Sequence, residues 1–170
     1  MRMDRQCFQM KTNNRTTLFK LINILREKKR TVSLAESATC GMLAQEFNTV
    51  PGTYEILLGS IVCYHESVKI NVLNVKQSLI KKYTAESIQV TDAIASGLKK
   101  IIPADIMIGV TGLASGNKSE EQIELPGTMF ITIIYKNKII RYKKRFRGSP
   151  LEIKMKCCRF VFAELLKIVS

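Results

Sequence analysis

The sequence predicts a three-layer α/β/α sandwich, in which helices cover both faces of a mixed, mostly parallel sheet of about five strands. Segments with helical periodicity alternate with short apolar segments along most of the chain. The last two apolar segments are separated only by Lys136 and Asn137, which predicts a hairpin and therefore one antiparallel strand. A length of 170 residues fits a single domain.

The N-terminal part is predicted to hold a helix, a strand and a second helix. Residues 1–15 are polar and charged, and we predict a flexible leader there, followed by one domain over residues 16–170. The first helix is predicted from Thr16 to Arg30, because apolar residues recur three or four positions apart at Leu18, Leu21, Ile22 and Leu25. A strand at 31–35 and a helix at 42–47 follow, with a turn between them.

The remaining elements are predicted from apolar runs and from the residues that interrupt them. A strand at 57–64 precedes a short helix at 68–73 and a longer one at 84–101, which Pro103 ends. A strand at 105–111 is apolar almost throughout, as in a buried central strand. A long loop leads to the hairpin strands 127–135 and 138–146, and Pro150 suits the first position of a final helix at 151–168.

The composition is that of a globular protein with an excess of positive charge. Hydrophobic residues make up 46% of the chain, and the formal net charge is +13. The basic residues have three interpretations: a solvated face, a surface that attracts anionic ligands such as phosphates, or a surface that binds nucleic acid. Aromatic residues do not alternate with them as in a stacking platform, which argues against nucleic acid.

The sequence contains no clear signal peptide, membrane-spanning segment or metal-binding motif. No apolar run reaches the roughly 18 residues needed to cross a bilayer, and the N-terminus lacks the apolar region of a signal peptide, so we expect a cytoplasmic protein without a membrane partner. One histidine and five irregularly spaced cysteines predict free thiols and no metal. The edge of the hairpin is compatible with a homodimer.

A first candidate site follows the first predicted strand. Ser37 and Thr39 lie between that strand and a predicted helix, where ligands of α/β sheets bind. Backbone N–H groups at the start of a helix stabilise a phosphate or an oxyanion. The structural alternative is that one of these hydroxyls only caps the helix.

Two further candidates follow later strands. Tyr64 ends a strand and Lys69 follows five residues later, and both side chains transfer protons only where their surroundings shift their pKa values. The alternative is a half-buried tyrosine and a solvated lysine. Gly112 follows the buried strand at Thr111 and allows close approach of a ligand, or it belongs to an ordinary turn.

Taken in order, these segments resemble the CinA C-terminal domain family, the nicotinamide mononucleotide deamidases, over about residues 16–168. Residues 35–41, A-E-S-A-T-C-G, resemble the family's A-E-S-C-T-G-G. Residues 59–69, G-S-I-V-C-Y-H-E-S-V-K, resemble its G-x-x-x-x-Y-S-N-E-A-K, and the serine-to-tyrosine and tyrosine-to-lysine spacings are kept. Three shorter matches are P-G-T at 51–53, V-T-G-L-A at 110–114 and P-G-T at 126–128.

The resemblance implies an amidohydrolase that needs no cofactor or metal. It converts nicotinamide mononucleotide, a phosphorylated small molecule, to nicotinic acid mononucleotide and ammonia. Ser37 is implied as the nucleophile, assisted by Tyr64 and Lys69, with an oxyanion held by backbone N–H groups around residues 39–41. The implied substrate-binding residues are Glu36, Thr39, Gly41, Thr111, Gly112, Arg145 and Arg147.

Departures from the family motifs support a second hypothesis. Cys40 occupies a glycine position of the first motif, and residues 148–150, G-S-P, replace the family's G-D-R, so that Arg145 or Arg147 would have to supply its arginine. An inactive or altered relative that binds a nucleotide or a protein partner is therefore the alternative to an active amidase.

Overall fold

The computed structural model describes the backbone of residues 5–115 and 124–170, and the side chains within those ranges from residue 15 onward. Six helices lie in this part of the chain: α1 (Arg5–Glu27), α2 (Met42–Phe47), α3 (Glu66–Asn71), α4 (Gln77–Tyr83), α5 (Ile88–Ile101) and α6 (Pro150–Val169). Five strands accompany them: β1 (Val32–Glu36), β2 (Leu57–Val62), β3 (Ile106–Gly112), β4 (Thr128–Tyr135) and β5 (Lys138–Arg145). A short 3₁₀ helix lies at Thr53–Glu55.

The five strands form one mixed sheet in the order β2-β1-β3-β4-β5. β1 is parallel to both β2 and β3, whereas β4 is antiparallel to β3 and to β5. Four strands therefore run in one direction and β4 alone runs in the other. The predicted mostly parallel sheet with one antiparallel hairpin strand is confirmed.

Helices cover both faces of the sheet. On one face, α1 and α6 pack over alternate strand residues such as Leu34, Ile108 and Ile131, which are fully buried. On the other face, α5 packs over Ala35 and Met107. Since side chains alternate across a strand, neighbouring residues of β1 belong to different cores. This arrangement is the predicted three-layer sandwich.

Capping residues set the ends of the helices near the site. Ser149 accepts a hydrogen bond from the Glu152 backbone N–H, while the Glu152 carboxylate accepts one from the Ser149 N–H, so a capping box begins α6. Ser87 caps α5 in the same way through the Val90 N–H. The small helix α2 is held by Phe47, whose ring packs edge-on against Phe162 of α6 with centroids 5.1 Å apart.

The predicted boundaries differ from the structure at several points, and the largest differences concern three helices. The backbone of α1 begins at Arg5, earlier than the predicted Thr16, so helix extends into the predicted leader; the division of the chain into a leader and a domain stays a prediction. The predicted helix at 84–101 begins only at Ile88, because Thr84 has a φ of +67° and ends α4. Helix α4 itself was not predicted.

Candidate active site

Ser37 lies at a bend directly after β1, at the edge of the sheet where the three parallel strands β2, β1 and β3 end. Its backbone N–H donates to the Val110 carbonyl of β3 at 2.9 Å, which ties the bend to the central strand. The side chain is 6% exposed. A serine in this position is held by the sheet but open to a ligand from one side.

Glu36 holds the turn that follows Ser37. Its carboxylate is fully buried and accepts hydrogen bonds of 2.8–3.0 Å from three backbone N–H groups and two hydroxyl groups: those of Gly41, Leu43, Ala44, Thr39 and Ser60. The carboxylate thus binds the start of α2, where negative charge is favoured. The Glu36 carboxylate therefore holds the turn in place, whereas the resemblance had implied that Glu36 binds substrate.

The same hydrogen bonds correct the predicted oxyanion site. The N–H of Cys40 donates to the Ser37 carbonyl and that of Gly41 donates to Glu36, so neither is available to a substrate. Within the described ranges, the N–H groups of Ala38 and Thr39 donate to no acceptor. These two groups, which directly follow Ser37, are the candidate oxyanion donors. Thr39 belongs to the predicted range 39–41, whereas Cys40 and Gly41 leave it because their N–H groups bind the Ser37 carbonyl and the Glu36 carboxylate.

A pocket of about 230 Å³ opens beside Ser37. It brings together residues from the ends of three strands and from two helix starts: Ser37, Ala38, Tyr64, Glu86, Gly112, Leu113, Ala114, Ser115 and Lys154. Gly112 has a φ of +141°, and a Cβ there would approach the Thr128 carbonyl oxygen to 2.4 Å. Glycine is thus required at this wall of the pocket. Three of the residues predicted from sequence, Ser37, Tyr64 and Gly112, line it.

Lys69 lies beneath the pocket wall formed by Tyr64. Its ammonium nitrogen Nζ donates to the carbonyl oxygens of Cys63 at 2.8 Å and Tyr64 at 3.0 Å, and the side chain is 1% exposed. Burial lowers the pKa of Lys69, while the Cys63 thiol and the carboxylates of Glu86 and Glu66 act in the opposite direction. A buried lysine with a lowered pKa is suited to accept a proton.

Tyr64 contributes its backbone to Lys69 and its side chain to the pocket. The side chain is 70% exposed, so it lies at the mouth of the pocket. The neighbouring His65 caps α3 by accepting a hydrogen bond from the Ser67 N–H at 3.2 Å. The lone histidine is therefore accounted for by a structural contact.

Two charged residues of the pocket were missed by the sequence analysis. Glu86 lies just before the cap of α5, and Lys154 lies one turn into α6. Burial raises the pKa of Glu86, and the nearby Lys69 charge acts against that rise. Neither residue belongs to a local motif around Ser37, and only the packing of α5 and α6 against the sheet brings them there.

Other predicted substrate-binding residues have structural roles or lie elsewhere. The Thr39 hydroxyl donates to Glu36, and the Thr111 hydroxyl pairs with that of Thr91 at 2.7 Å in the core. Gly41 forms the turn into α2 with a φ of +88°. Arg145 and Arg147 are exposed and do not line the Ser37 pocket, so Lys154 is the cation that the structure brings to it.

The fold and the site together define an α/β sandwich domain with a serine pocket at the carboxyl edge of its parallel strands and a buried lysine behind it. The model of the CinA C-terminal domain matches residues 15–169. The chain belongs to the CinA C-terminal domain family.

Curated relatives and solved structures agree with this family. A CinA-like protein of Petrotoga mobilis is 33% identical over 149 residues, which cover 88% of this chain and 37% of the relative. A CinA-like protein of Fusobacterium nucleatum is 35% identical over 156 residues, 91% of this chain and 37% of the relative. The chain thus spans little more than a third of these relatives.

A CinA superfamily protein from Klebsiella pneumoniae has the same fold, with a TM-score of 0.87 at 22% identity over 92% of this chain and 97% of the other. A competence or damage-inducible protein from Enterobacter asburiae gives a TM-score of 0.86 at 25% identity over 91% and 96% of the two chains. Among the described residues, no helix has the length and apolar character that a membrane crossing needs.

Proposed function

We propose that the chain is an amidohydrolase that acts through an acyl-enzyme at Ser37, with nicotinamide mononucleotide as its substrate. The observation that carries the proposal is that Ser37, fixed at the edge of the sheet, opens to a pocket lined by Tyr64, whose carbonyl oxygen accepts a hydrogen bond from the buried Lys69. A serine hydroxyl is a weak nucleophile until a neighbouring base takes its proton. Lys69 is a base of that kind.

Burial favours the neutral form of Lys69, because it penalises the charged ammonium. A neutral amine has two N–H bonds and one lone pair, whereas the ammonium has three N–H donors. Two carbonyl oxygens accept hydrogen bonds from Nζ, which accounts for both N–H bonds of the neutral amine. The lone pair then remains to accept the proton of Ser37, directly or through Tyr64.

In the proposed reaction, Ser37 Oγ attacks the carboxamide carbon and its proton passes to Lys69. The N–H groups of Ala38 and Thr39 stabilise the oxyanion, and a single such donor typically contributes about 3 kcal/mol to the transition state. The proton on Lys69 moves to the leaving nitrogen, and ammonia departs. Water then hydrolyses the acyl-enzyme to the free acid, with no metal or cofactor required.

The charge of the pocket supports a phosphorylated substrate. Lys154 lines the pocket from α6, and an ammonium group there attracts a phosphate. We assign to Lys154 the role that the sequence analysis gave to Arg145 or Arg147. A pocket of about 230 Å³ takes a ring with its carboxamide and leaves the phosphate at the mouth.

Ammonia release from nicotinamide mononucleotide tests the proposal. We expect turnover by the wild-type protein and a loss of several orders of magnitude in Ser37→Ala, because the nucleophile is absent. Ser115→Ala is the matched control, since Ser115 lines the same pocket and should leave most of the activity. Equal ammonia release by Ser37→Ala and wild type would refute the assignment of the nucleophile.

A second candidate function is binding without turnover. Cys40, beside the nucleophile, is held at a φ of +52°, which is costly for any residue with a Cβ. A turn adapted in this way is compatible with a relative that binds a nucleotide and does not cleave it. Saturable binding of nicotinamide mononucleotide in calorimetry, with no ammonia released, would favour this function over the first.

A further inference from the structure

Glu86 borders both the Ser37 pocket and a second, larger cavity. The second cavity has a volume of about 530 Å³ and lies between the start of α5 and strands β4 and β5. Glu86 is the residue that the two cavities share. Its half-buried side chain thus has one side toward the nucleophile and another toward solvent. The larger cavity therefore offers solvent a route to Glu86 that is separate from the Ser37 pocket.

The backbone around Glu86 is held firmly. Thr84 has a φ of +67° and a ψ of 162°, a conformation found almost only in glycine. The Ser87 hydroxyl donates to the Thr84 carbonyl at 2.9 Å and accepts from the Val90 N–H at 3.3 Å. Strained residues cluster at sites where a side chain must be kept in one place. Glu86 lies between these two fixed residues.

The chemistry of an acyl-enzyme needs a second proton transfer. During acylation Lys69 takes the proton of Ser37 and gives it to the leaving nitrogen, so that it is neutral again when ammonia departs. The ester at Ser37 is then cleaved by water, which must lose a proton as it attacks. Glu86 lines the same pocket as Ser37, so its carboxylate is placed to accept that proton.

We propose that Glu86 is the general base that accepts a proton from the water that cleaves the acyl-enzyme at Ser37. This inference rests on the proposed function. Water oxygen bonds to the acyl carbon while one of its protons passes to the Glu86 carboxylate. The bond between the acyl carbon and Ser37 Oγ breaks, and Glu86 returns the proton to that oxygen. The free acid leaves, and both side chains are back in their starting states.

The electrostatic setting of Glu86 agrees with this role. Burial raises its pKa, which makes the carboxylate a stronger base than one in open solvent. A charge on Lys69 acts in the opposite direction and lowers the pKa of Glu86. Tyr64 also lines the pocket, but its 70% exposed side chain lies at the mouth.

Glu124 offers a matched control. It borders the larger cavity but not the Ser37 pocket, and its carboxylate forms an ion pair with Lys143 at 2.7 Å. Glu124→Gln removes the same charge from the same cavity as Glu86→Gln does. Only the second change removes a carboxylate from the nucleophile pocket.

The test uses p-nitrophenyl acetate, a small activated ester whose coloured leaving group reports acylation separately from turnover. Wild type, Glu86→Gln, Glu124→Gln and Ser37→Ala are mixed rapidly with the ester, and the acetylated residue is identified by mass spectrometry. In Glu86→Gln we expect a rapid release of one equivalent of nitrophenolate, followed by turnover at least about 100-fold slower than wild type. Acetyl-Ser37 should accumulate in that variant alone, and Glu124→Gln should behave as wild type.

The outcomes separate this inference from the function on which it rests. Equal turnover in Glu86→Gln and wild type would overturn the role of Glu86 while leaving the acyl-enzyme in place. An equal slowing of the first release and of turnover would also overturn it, because Glu86 would then act before the ester forms. Nitrophenolate release by Ser37→Ala at the wild-type rate, with no acetyl-Ser37 found in Glu86→Gln, would overturn the proposed function and the inference together.

Discussion

Thr84 is the position where the backbone predicts a gain in stability from a single change. Its φ of +67° and ψ of 162° lie in a region that costs roughly 1–3 kcal/mol for a residue with a Cβ. Glycine removes that cost but adds freedom to the unfolded chain, worth roughly 0.4–1 kcal/mol. The Thr84 N–H bond to the Ile80 carbonyl at 2.8 Å is unaffected by the change. Thr84→Gly should therefore raise the free energy of unfolding by roughly 0.5–2 kcal/mol.

Urea denaturation followed by circular dichroism measures this difference. The control is Thr84→Ala, which keeps a Cβ and so keeps most of the backbone cost. We expect the urea concentration at the unfolding midpoint to be higher for Thr84→Gly than for wild type or Thr84→Ala, while the slope of the unfolding free energy against urea concentration stays unchanged. If Thr84→Gly were no more stable than Thr84→Ala, the backbone at this position would not be strained, and the argument that Glu86 is held by it would fail.

Two further predictions concern Glu36 and Lys69. Glu36→Gln should lower the free energy of unfolding by about 2–4 kcal/mol. The carboxylate oxygens now accept from the N–H groups of Leu43 and Ala44, and glutamine replaces one of these oxygens with an NH₂ group, which leaves a buried N–H donor without an acceptor. Urea denaturation measures it beside Ser60→Ala, which loses one hydroxyl and should cost about 1 kcal/mol; equal losses would contradict the prediction. For Lys69, burial lowers the pKa, so the neutral base becomes more populated as pH rises through that lowered value. The amidase kcat/KM should therefore rise with pH and level off below the ordinary lysine value of about 10.4. A profile that falls over this range, or one that Lys69→Arg reproduces, would refute the base role.

The sequence carried enough information for the sheet and for placing Ser37 at the end of a strand. Uninterrupted apolar runs marked the buried strand β3, and Lys136-Asn137 marked the hairpin, because strand and turn preferences are local. The resemblance supplied Ser37, Tyr64 and Lys69. Helix α4 was missed because its seven residues contain few apolar positions, too few to show the helical repeat of apolar residues. The break at Thr84 was missed because threonine rarely adopts a positive φ.

The parts of the site that could not be predicted depend on contacts between distant or competing groups. Glu86 and Lys154 reach the pocket only through the packing of α5 and α6, and no spacing relates them to Ser37. Glu36 lies next to the nucleophile in sequence, which suggested a contact with substrate. The buried N–H groups at the start of α2 would lack an acceptor without the Glu36 carboxylate. This need turns the carboxylate toward the backbone of the next turn and not toward a ligand.

The two bends beside the pocket are built in the same unusual way. Cys40 follows the nucleophile with a φ of +52° and Thr84 precedes Glu86 with a φ of +67°, both at positions where glycine would be the relaxed choice. Each bend is held by hydrogen bonds to a neighbour, the first by the Glu36 carboxylate and the second by the Ser87 hydroxyl. Since such bonds offset part of the backbone cost, polar contacts beneath the pocket help to set the positions of Ser37 and Glu86. Substitutions at Glu36 and Ser87 should therefore move the reacting groups, although neither residue lines the pocket itself.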